Sequence, residues 1–419
     1  MNHFQYHNDI LHCENVSIPE IADAVGTPFY LYSHATLIRH FHAFDSAFDG
    51  FDRLVCYSAK ANTSLGVLKI LCDEGAGLDI VSGGELYKGL KAGFRPETIV
   101  YSGVGKRIDE IDFALNTGIL MFNIESREEL DLLQVRAKAL DRTARISIRV
   151  NPDVDPKTHP HISTGLKKNK FGIDVETALE TYAAASRMDH VEIVGIDCHI
   201  GSQITQVDPF EEALNSLVDL IDRLRRMGIG IRYLDMGGGL GITYRDEQPP
   251  HPSEYADAIR KVLGDRKLTL VFEPGRVLVG NAGILVTRVL YRKHSPAKEF
   301  VITDAAMNDL MRPVLYGAFH DIRPVDRRET LPEIVADVVG PICESGDFLA
   351  QMRTLPSVRR GDLLAVMSAG AYGFSMSSNY CSRLRAAEVL VKEDRFAVIR
   401  ERETYEDLVR KEKTADFWP

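Results

Sequence analysis

No stretch of the 419-residue chain approaches the roughly 20 consecutive apolar residues that a membrane-spanning helix requires. No membrane partner is therefore expected. Cysteine is scarce, with six residues at Cys13, Cys56, Cys72, Cys198, Cys343 and Cys381. None sits in a CxxC pair and the spacings match no zinc pattern, so no metal site is expected. A disulfide framework is not expected in so long a chain of cytosolic character. Cys13, Cys56, Cys72 and Cys198 read instead as small buried hydrophobes. Positive charge is in deficit: 50 Lys and Arg against 60 Asp and Glu give a formal net charge of −10. That balance argues against a nucleic-acid partner or an anionic lipid surface, while leaving room for a local anion site. The N-terminal residues lack a basic-then-apolar leader, and a cytoplasmic location is the expectation. Internal repeats and low-complexity tracts are missing as well.

What is present is an ordinary globular composition, 45% hydrophobic and 26% charged, enough for a sizeable core. Eight short apolar runs stand out, at 54–57, 78–81, 98–101, 119–124, 145–150, 192–196, 232–236 and 268–272. Polar residues collect at or directly after their C-terminal ends: Lys60, Asp79, Ser102, Glu125, Arg149, His199, Gly237-Gly238-Gly239 and Glu273. A chain that alternates strand with helix and gathers such residues at strand ends is predicted to form a (β/α)8 barrel with its site on the C-terminal face.

The segments between the runs carry helical period. Helices are predicted over 64–74, 84–92, 109–116, 126–140, 175–187, 209–227 and 253–263, with two more before the barrel at 18–24 and 33–48. Gly118 suits a helix-ending glycine, and Ser126 with Glu129 has capping-box spacing. One loop is long: residues 151–172 hold three prolines, two histidines and the basic cluster Lys167, Lys168 and Lys170. At the mouth of a barrel such a loop binds or covers something, or else is simply solvated. Beyond residue 280 the texture turns β-branched, with strands predicted at 283–291, 300–304, 334–339, 363–369 and 387–391. A hairpin through Lys392-Glu393-Asp394 feeds 396–400. This reads as a second, all-β domain, to which 28–32 adds a strand, closed by a helix over 403–413. The division expected is a barrel over 34–280 and a β-rich domain from 1–33 and 281–419.

Three features carry chemistry. The glycine run Gly237-Gly238-Gly239-Leu240-Gly241 follows the seventh strand and Glu273-Pro274-Gly275-Arg276 follows the eighth, where barrels commonly hold a phosphate. Glycines let backbone N–H groups converge on an anion, although tight turns use them too. Lys60 ends the first strand, where desolvation frees an amine for covalent chemistry. Alone it could be an ordinary surface or salt-bridged lysine. A phosphate site and such a lysine together call for pyridoxal phosphate. His199 then stands where it could stack on the cofactor ring, or else is a core histidine bonded to backbone. Glu273 is placed to pair with the pyridine nitrogen and make the ring an electron sink.

In these residues the chain resembles the fold-type III pyridoxal-phosphate decarboxylases, most closely the branch acting on diaminopimelate. The resemblance begins at Gly26-Thr27-Pro28-Phe29-Tyr30 and the Lys60 motif. It continues through Ser82-Gly83-Gly84-Glu85-Leu86 and His161-Ile162-Ser163-Thr164-Gly165, then the His199, triple-glycine and Glu273 motifs. It ends at residues 340–347 and 371–391. It implies an alanine-racemase-like arrangement, a TIM barrel followed by a β-sandwich or β-barrel domain, and the last step of lysine biosynthesis. Lys60 is implied to hold the cofactor covalently, His199 to stack on it, and Glu273 to face its ring nitrogen. Ser202, Gly237, Gly238, Gly239, Arg276 and Tyr372 are implied at the phosphate, and Asp79 and Gly275 complete the cofactor-binding set. Arg276, Arg312, Tyr316 and Tyr372 are implied to receive the substrate, the first three clamping its distal carboxylate. Cys343, as proton donor, and Glu344, on the distal amino group, are implied to come from the neighbouring subunit of a homodimer. The reacting centre is then the D-configured one of meso-diaminopimelate, and the product L-lysine.

Two departures from the family pattern stand out. Cys381-Ser382-Arg383-Leu384-Arg385 has Leu384 where the family has proline, and Ser58-Ala59 precedes Lys60 where Ala-Val or Ala-Leu is common. Neither removes a group with an expected role. The rival readings are a decarboxylase of ornithine, arginine, lysine or carboxynorspermidine, a racemase pairing the lysine with a tyrosine, and a non-catalytic cofactor carrier. Arg312 and the His161–Gly165 motif favour diaminopimelate over the first. Cys343-Glu344 argues against the second, and retention of Lys60, Glu273 and Cys343 against the third.

Overall fold

The structure, a computed structural model, describes residues 2–155, 170–327 and 331–415. The His161–Gly165 motif, Lys167, Lys168 and most of the 151–172 loop lie outside them. The chain divides into two compact units, Ile38–Leu278 and Met1–Leu37 with Val279–Pro419.

In the first unit eight strands close a barrel, each parallel to its neighbour: Arg53–Ser58, Gly77–Ile80, Ile99–Tyr101, Met121–Ile124, Ala144–Arg149, Val191–Asp197, Tyr233–Asp235 and Thr269–Phe272. All eight predicted strands are present. They were legible as short, mainly apolar runs because a parallel barrel strand is covered on both faces and need not alternate. The seven helices between them begin and end within two residues of expectation, Leu65–Asp73, Gly83–Ala92, Ile108–Thr117, Arg127–Ala139, Val175–Ala185, Asp208–Arg226 and Pro252–Leu263. Their ends follow local chemistry. Ser82 and Ser126 accept the N–H groups of Glu85 and Glu129, and Gly93 and Gly118 close their helices in the left-handed conformation. The Ser126 box is one residue out of place, since the Glu129 carboxylate reaches back to Glu125 N at 2.9 Å. Inside the barrel Cys56, Val100, Met121, Val194 and Val271 pack together. Phe48, Phe210, Tyr255 and Phe272 form an aromatic cluster beside them.

The second unit holds a three-stranded antiparallel sheet of Phe4–His7, Ile10–Cys13 and Val16–Ser17, and a larger nine-stranded one. Across the larger sheet the order runs Phe348–Pro356, Glu333–Val339, Glu299–Thr303, Gly283–His294, Phe29–Ser33, Ala387–Lys392, Arg395–Arg400. Leu363–Val366 also pairs with Gly283–His294, and Ile322–Pro324 with Leu363–Val366. The sheet is mixed: Glu299–Thr303 runs parallel to Glu333–Val339, and Phe29–Ser33 to Ala387–Lys392. The N-terminal run thus supplies a strand, as expected.

Three expectations need correction. The unit is not all β, since it carries Ile18–Val25 and the short helices Arg312–Tyr316 and Tyr405–Val409. The last is about a turn and a half, where the sequence suggested 403–413. Cys72 is half-buried rather than buried. Phe348–Pro356 was not anticipated. It pairs on one side only and exposes Gln351 and Met352, so its apolar signal is interrupted. Among the described residues no helix is long and apolar enough to cross a membrane.

Candidate active site

The mouth of the barrel gathers its polar groups because strand ends leave neighbouring side chains in register. Ser58 on the first strand is the register partner of Asp79 on the second, and Ser58 Oγ donates to Asp79 Oδ2 at 2.6 Å. Lys60 follows in the tight turn Ala59–Ala61. That turn is fixed by Tyr57, whose hydroxyl donates to Asn62 O at 2.9 Å, and by Ser58 N donating to Pro274 O at 3.0 Å. Lys60 Nζ lies 2.7 Å from Asp79 Oδ2. Lys60 is therefore ion-paired, as one of the two sequence alternatives allowed, rather than a solitary desolvated amine. Burial and the nearby Glu273 charge raise the Asp79 carboxyl above its usual range, against the pull of Lys60. Ser58, which looked like a neutral departure from the family pattern, is one of the two groups holding Asp79.

Glu273 ends the eighth strand and is buried. Its Oε1 accepts from Ser102 Oγ at 3.1 Å and Asn123 Nδ2 at 3.2 Å. Its Oε2 lies 2.7 Å from His199 Nε2 yet accepts no aligned hydrogen bond. His199 Nδ1 faces Asp197 Oδ1 at 3.2 Å. Burial alone would lower the imidazole, but the Glu273 and Asp197 charges carry it up to about 9. Burial likewise would raise Glu273, and the His199 charge holds it below the usual carboxylate range. Glu273 is thus a buried anion whose Oε2 faces the His199 imidazole.

The glycines are required here by close approach. A Cβ on Gly237 (φ +62°) would stand 2.7 Å from the His199 ring, one on Gly238 would stand 2.3 Å from Glu273 O, and one on Gly239 (φ +115°) 2.7 Å from Gly201 O. A Cβ on Gly275 would come within 3.1 Å of Ser58 and Ala61. The N–H groups of Gly238, Gly239 and Gly275 donate to no acceptor among the described residues. Beside them Arg276 donates to Ser202 Oγ at 3.0 Å and to Tyr244 OH at 2.7 Å. Free backbone donors, a guanidinium and a hydroxyl suit a phosphate. With the amine of Lys60 and the buried anion of Glu273, the mouth fits pyridoxal phosphate at three separate points. Gly238→Ala is expected to cost about 1–3 kcal/mol of stability, because the added methyl group must displace backbone. It should also weaken cofactor binding about tenfold. Thermal unfolding of the cofactor-free protein and a cofactor titration would check both.

The structure adds groups that were not read from sequence. Asn123, Asp197, Asp235 and Tyr244 are all buried, and Asn123 links Ser102, Asp235 and Glu273. Asn123, Asp197 and Asp235 interrupt apolar strands near their ends, which was the available signal. Glu125 and Arg149 were noted without a role. They pair at 2.8 Å, and Glu125 also accepts Gly172 N at 2.7 Å, anchoring one end of the long loop.

The remaining expected site residues belong to the other unit. Arg312 is buried with its guanidinium 2.8 Å from His320 Nε2, and Tyr316 ends the same short helix. Cys343 and Glu344 are exposed on a turn fastened by buried Asp347, which accepts Met307 N and Ile342 N, both at 2.8 Å. Tyr380 OH donates to Glu344 Oε2 at 2.7 Å. Tyr372 adopts φ 55° between Gly370 and Gly373, where a Cβ would meet backbone oxygens at 1.9 and 2.4 Å. A non-glycine residue held so is strained, as residues at functional sites often are.

Comparison with known proteins agrees with this geometry. The family profile "Pyridoxal-dependent decarboxylase, pyridoxal binding domain" matches residues 34–280. Fold, site and profile together define an enzyme that uses pyridoxal phosphate for decarboxylation. The diaminopimelate decarboxylase of Pseudomonas aeruginosa is 54% identical over 97% of this chain and 98% of its own length. The crystal structure of diaminopimelate decarboxylase from Helicobacter pylori, complexed with L-lysine, superposes with a TM-score of 0.91 at 43% identity, covering 94% of this chain and 98% of that one. That of the M. jannaschii enzyme in complex with L-lysine has a TM-score of 0.93 at 39% identity, covering 98% of each. The chain belongs to the diaminopimelate decarboxylase family.

Proposed function

We propose that this protein removes the carboxylate from the D-configured centre of meso-2,6-diaminopimelate, giving L-lysine and carbon dioxide in the last step of lysine biosynthesis. The observation that carries the reading is the barrel mouth itself. There a lysine amine, an anionic buried glutamate and free backbone donors beside Arg276 suit the three ends of one cofactor. Pyridoxal phosphate, when bound, supplies a conjugated ring that accepts the electron pair left as carbon dioxide departs.

The chain's own residues do the rest. Lys60 supplies the amine that anchors the cofactor and is held in place by Asp79. Glu273 would accept a hydrogen bond from the protonated ring nitrogen and so keep that nitrogen charged, and His199 would pack against the ring. Gly237, Gly238, Gly239, Gly275, Ser202 and Arg276 hold the phosphate, joined by Tyr372. Arg276, Arg312 and Tyr316 take the distal carboxylate, a task for which a guanidinium's paired donors are suited. Cys343 returns a proton to the α-carbon and regains one from solvent, while Glu344 receives the distal ammonium. In this reading the enzyme is a cytoplasmic homodimer, each subunit lending Cys343 and Glu344 to its partner from the β-rich residues 1–33 and 281–419.

Carbon dioxide release by the cofactor-loaded protein, with meso-diaminopimelate beside L-ornithine, L-arginine and L-lysine, tests the reading. Release from meso-diaminopimelate alone, with L-lysine as product, is expected. Release from another amino acid would overturn the roles of Arg312 and Tyr316, and no release at all would return the racemase or carrier readings. Cys343→Ala should leave the cofactor absorbance intact and slow correct turnover about 10²-fold, the usual worth of a positioned proton donor. Full activity in steady-state assays would remove Cys343 from the mechanism.

A further inference from the structure

We propose that Asp235 is uncharged and serves as the proton-bearing partner of Glu273, so that two carboxyl groups at the ends of the seventh and eighth strands share one proton. The inference rests on the role given above to Glu273 and deepens it.

The barrel mouth buries Asp79, Glu125, Asp197, Asp235 and Glu273. Four of these face a cation. Asp79 has Lys60 at 2.7 Å, Glu125 has Arg149 at 2.8 Å, and Asp197 and Glu273 have His199 at 3.2 and 2.7 Å. Asp235 pairs with no cation among the described residues. Its Oδ1 accepts Gly237 N at 2.9 Å and its Oδ2 accepts Asn123 Nδ2 at 3.2 Å. The same Asn123 nitrogen lies 3.2 Å from Glu273 Oε1, so one amide spans both carboxyl groups. The same nitrogen also donates to Ser102 Oγ at 3.2 Å, so it meets an oxygen on each of the three groups around it. On the neighbouring strand the register partner of Asp235 is another acid, Asp197.

Buried carboxyl groups crowded in this way cannot all ionise, and the proton settles on the one without a cation. Burial first, then the charges of Glu273 and Asp197, push Asp235 well above the carboxylate range, with Glu273 in hydrogen-bonding reach. Glu273 is held on the other side of that range by His199. The neutral Asp235 then has two effects. Its O–H is a donor to the Glu273 carboxylate, which keeps that group charged and oriented. Its carbonyl oxygen fastens Gly237 at the start of the glycine run. The proton stays on Asp235 throughout, and Asp235 touches neither cofactor nor substrate, so it is a positioning residue.

Infrared difference spectra of the cofactor-loaded wild type and Asp235→Asn at neutral pH provide the test. Loss of a carboxylic-acid carbonyl band in the variant is expected, and loss of a carboxylate band instead would overturn the proposal. The second measurement compares kcat/KM. Asp235→Leu removes the donor and should lower it by about 10–100-fold, the worth of a hydrogen bond to a buried charge. Asp235→Asn supplies an amide donor and should recover all but about fivefold. Equal losses in the two variants would refute the donor role, and the spectra of Asp235→Asn remain decisive should Asp235→Leu fold poorly. If the acid band is lost but no amino acid is decarboxylated by the wild type, the functional reading fails while the shared proton stands.

Discussion

Lys60→Ala is expected to lower turnover about 10⁴-fold and to leave the cofactor removable by gel filtration, because among the described residues no other amine at the strand ends is placed to replace it. Lys60 follows directly from the first strand, in a turn tied to both its own strand and the Pro274 carbonyl. Its amine is fixed by the buried Asp79 at 2.7 Å, so its position is set before any cofactor arrives. Lys106, a buried lysine of the same unit, is engaged by Glu129 at 2.6 Å and by the Gly103 and Asn123 carbonyls. Lys60→Arg keeps a cation for Asp79 and should preserve the fold, yet it offers no amine that can bond the cofactor. The two variants together separate loss of the covalent anchor from loss of the ion pair. Measured turnover above a tenth of wild type in either would show that Lys60 is not the anchor.

Much of the barrel could be read from sequence because two independent signals coincided. Strands covered on both faces appear as mainly apolar runs, and the residues that follow them, Lys60, His199, the three glycines and Glu273, end those runs with chemistry. What stayed hidden was the layer beneath. Asn123, Asp197 and Asp235 fall within strands, where sequence alone cannot say whether a polar residue marks an error in the strand assignment or a buried network. Their meaning depends on which strands are neighbours: Asp197 and Asp235 are 38 positions apart in number but paired in register, and Asn123 reaches Glu273 across 150 positions. The contact of Ser58 was hidden for the same reason, since its partner Asp79 is on the next strand. In the second unit the N-terminal strands and Phe348–Pro356 were missed because short or one-sided strands bury too little to leave a periodic signal.

Glu273→Gln should reduce kcat/KM about 10³-fold, roughly 4 kcal/mol of transition-state stabilisation, while the cofactor stays attached through Lys60. Glutamine fits the same space but carries no charge, so the ring nitrogen loses the partner that keeps it protonated. The substitution should also be visible without substrate. In the cofactor-free protein His199 is raised to about 9, by Glu273 foremost among the charges that oppose the effect of its burial. A histidine raised in the folded state contributes stability that is complete below its unfolded value of about 6.5 and is lost as pH rises through about 9. Wild-type protein should therefore lose stability between neutral and mildly alkaline pH. Glu273→Gln should start lower and show a much shallower loss, since Asp197 remains as the one carboxylate beside the imidazole. Thermal unfolding of the cofactor-free proteins across this range checks the difference. Parallel profiles for the two would mean that Glu273 does not set the charge of His199, and the barrel mouth would need another source for the anion that faces the ring nitrogen.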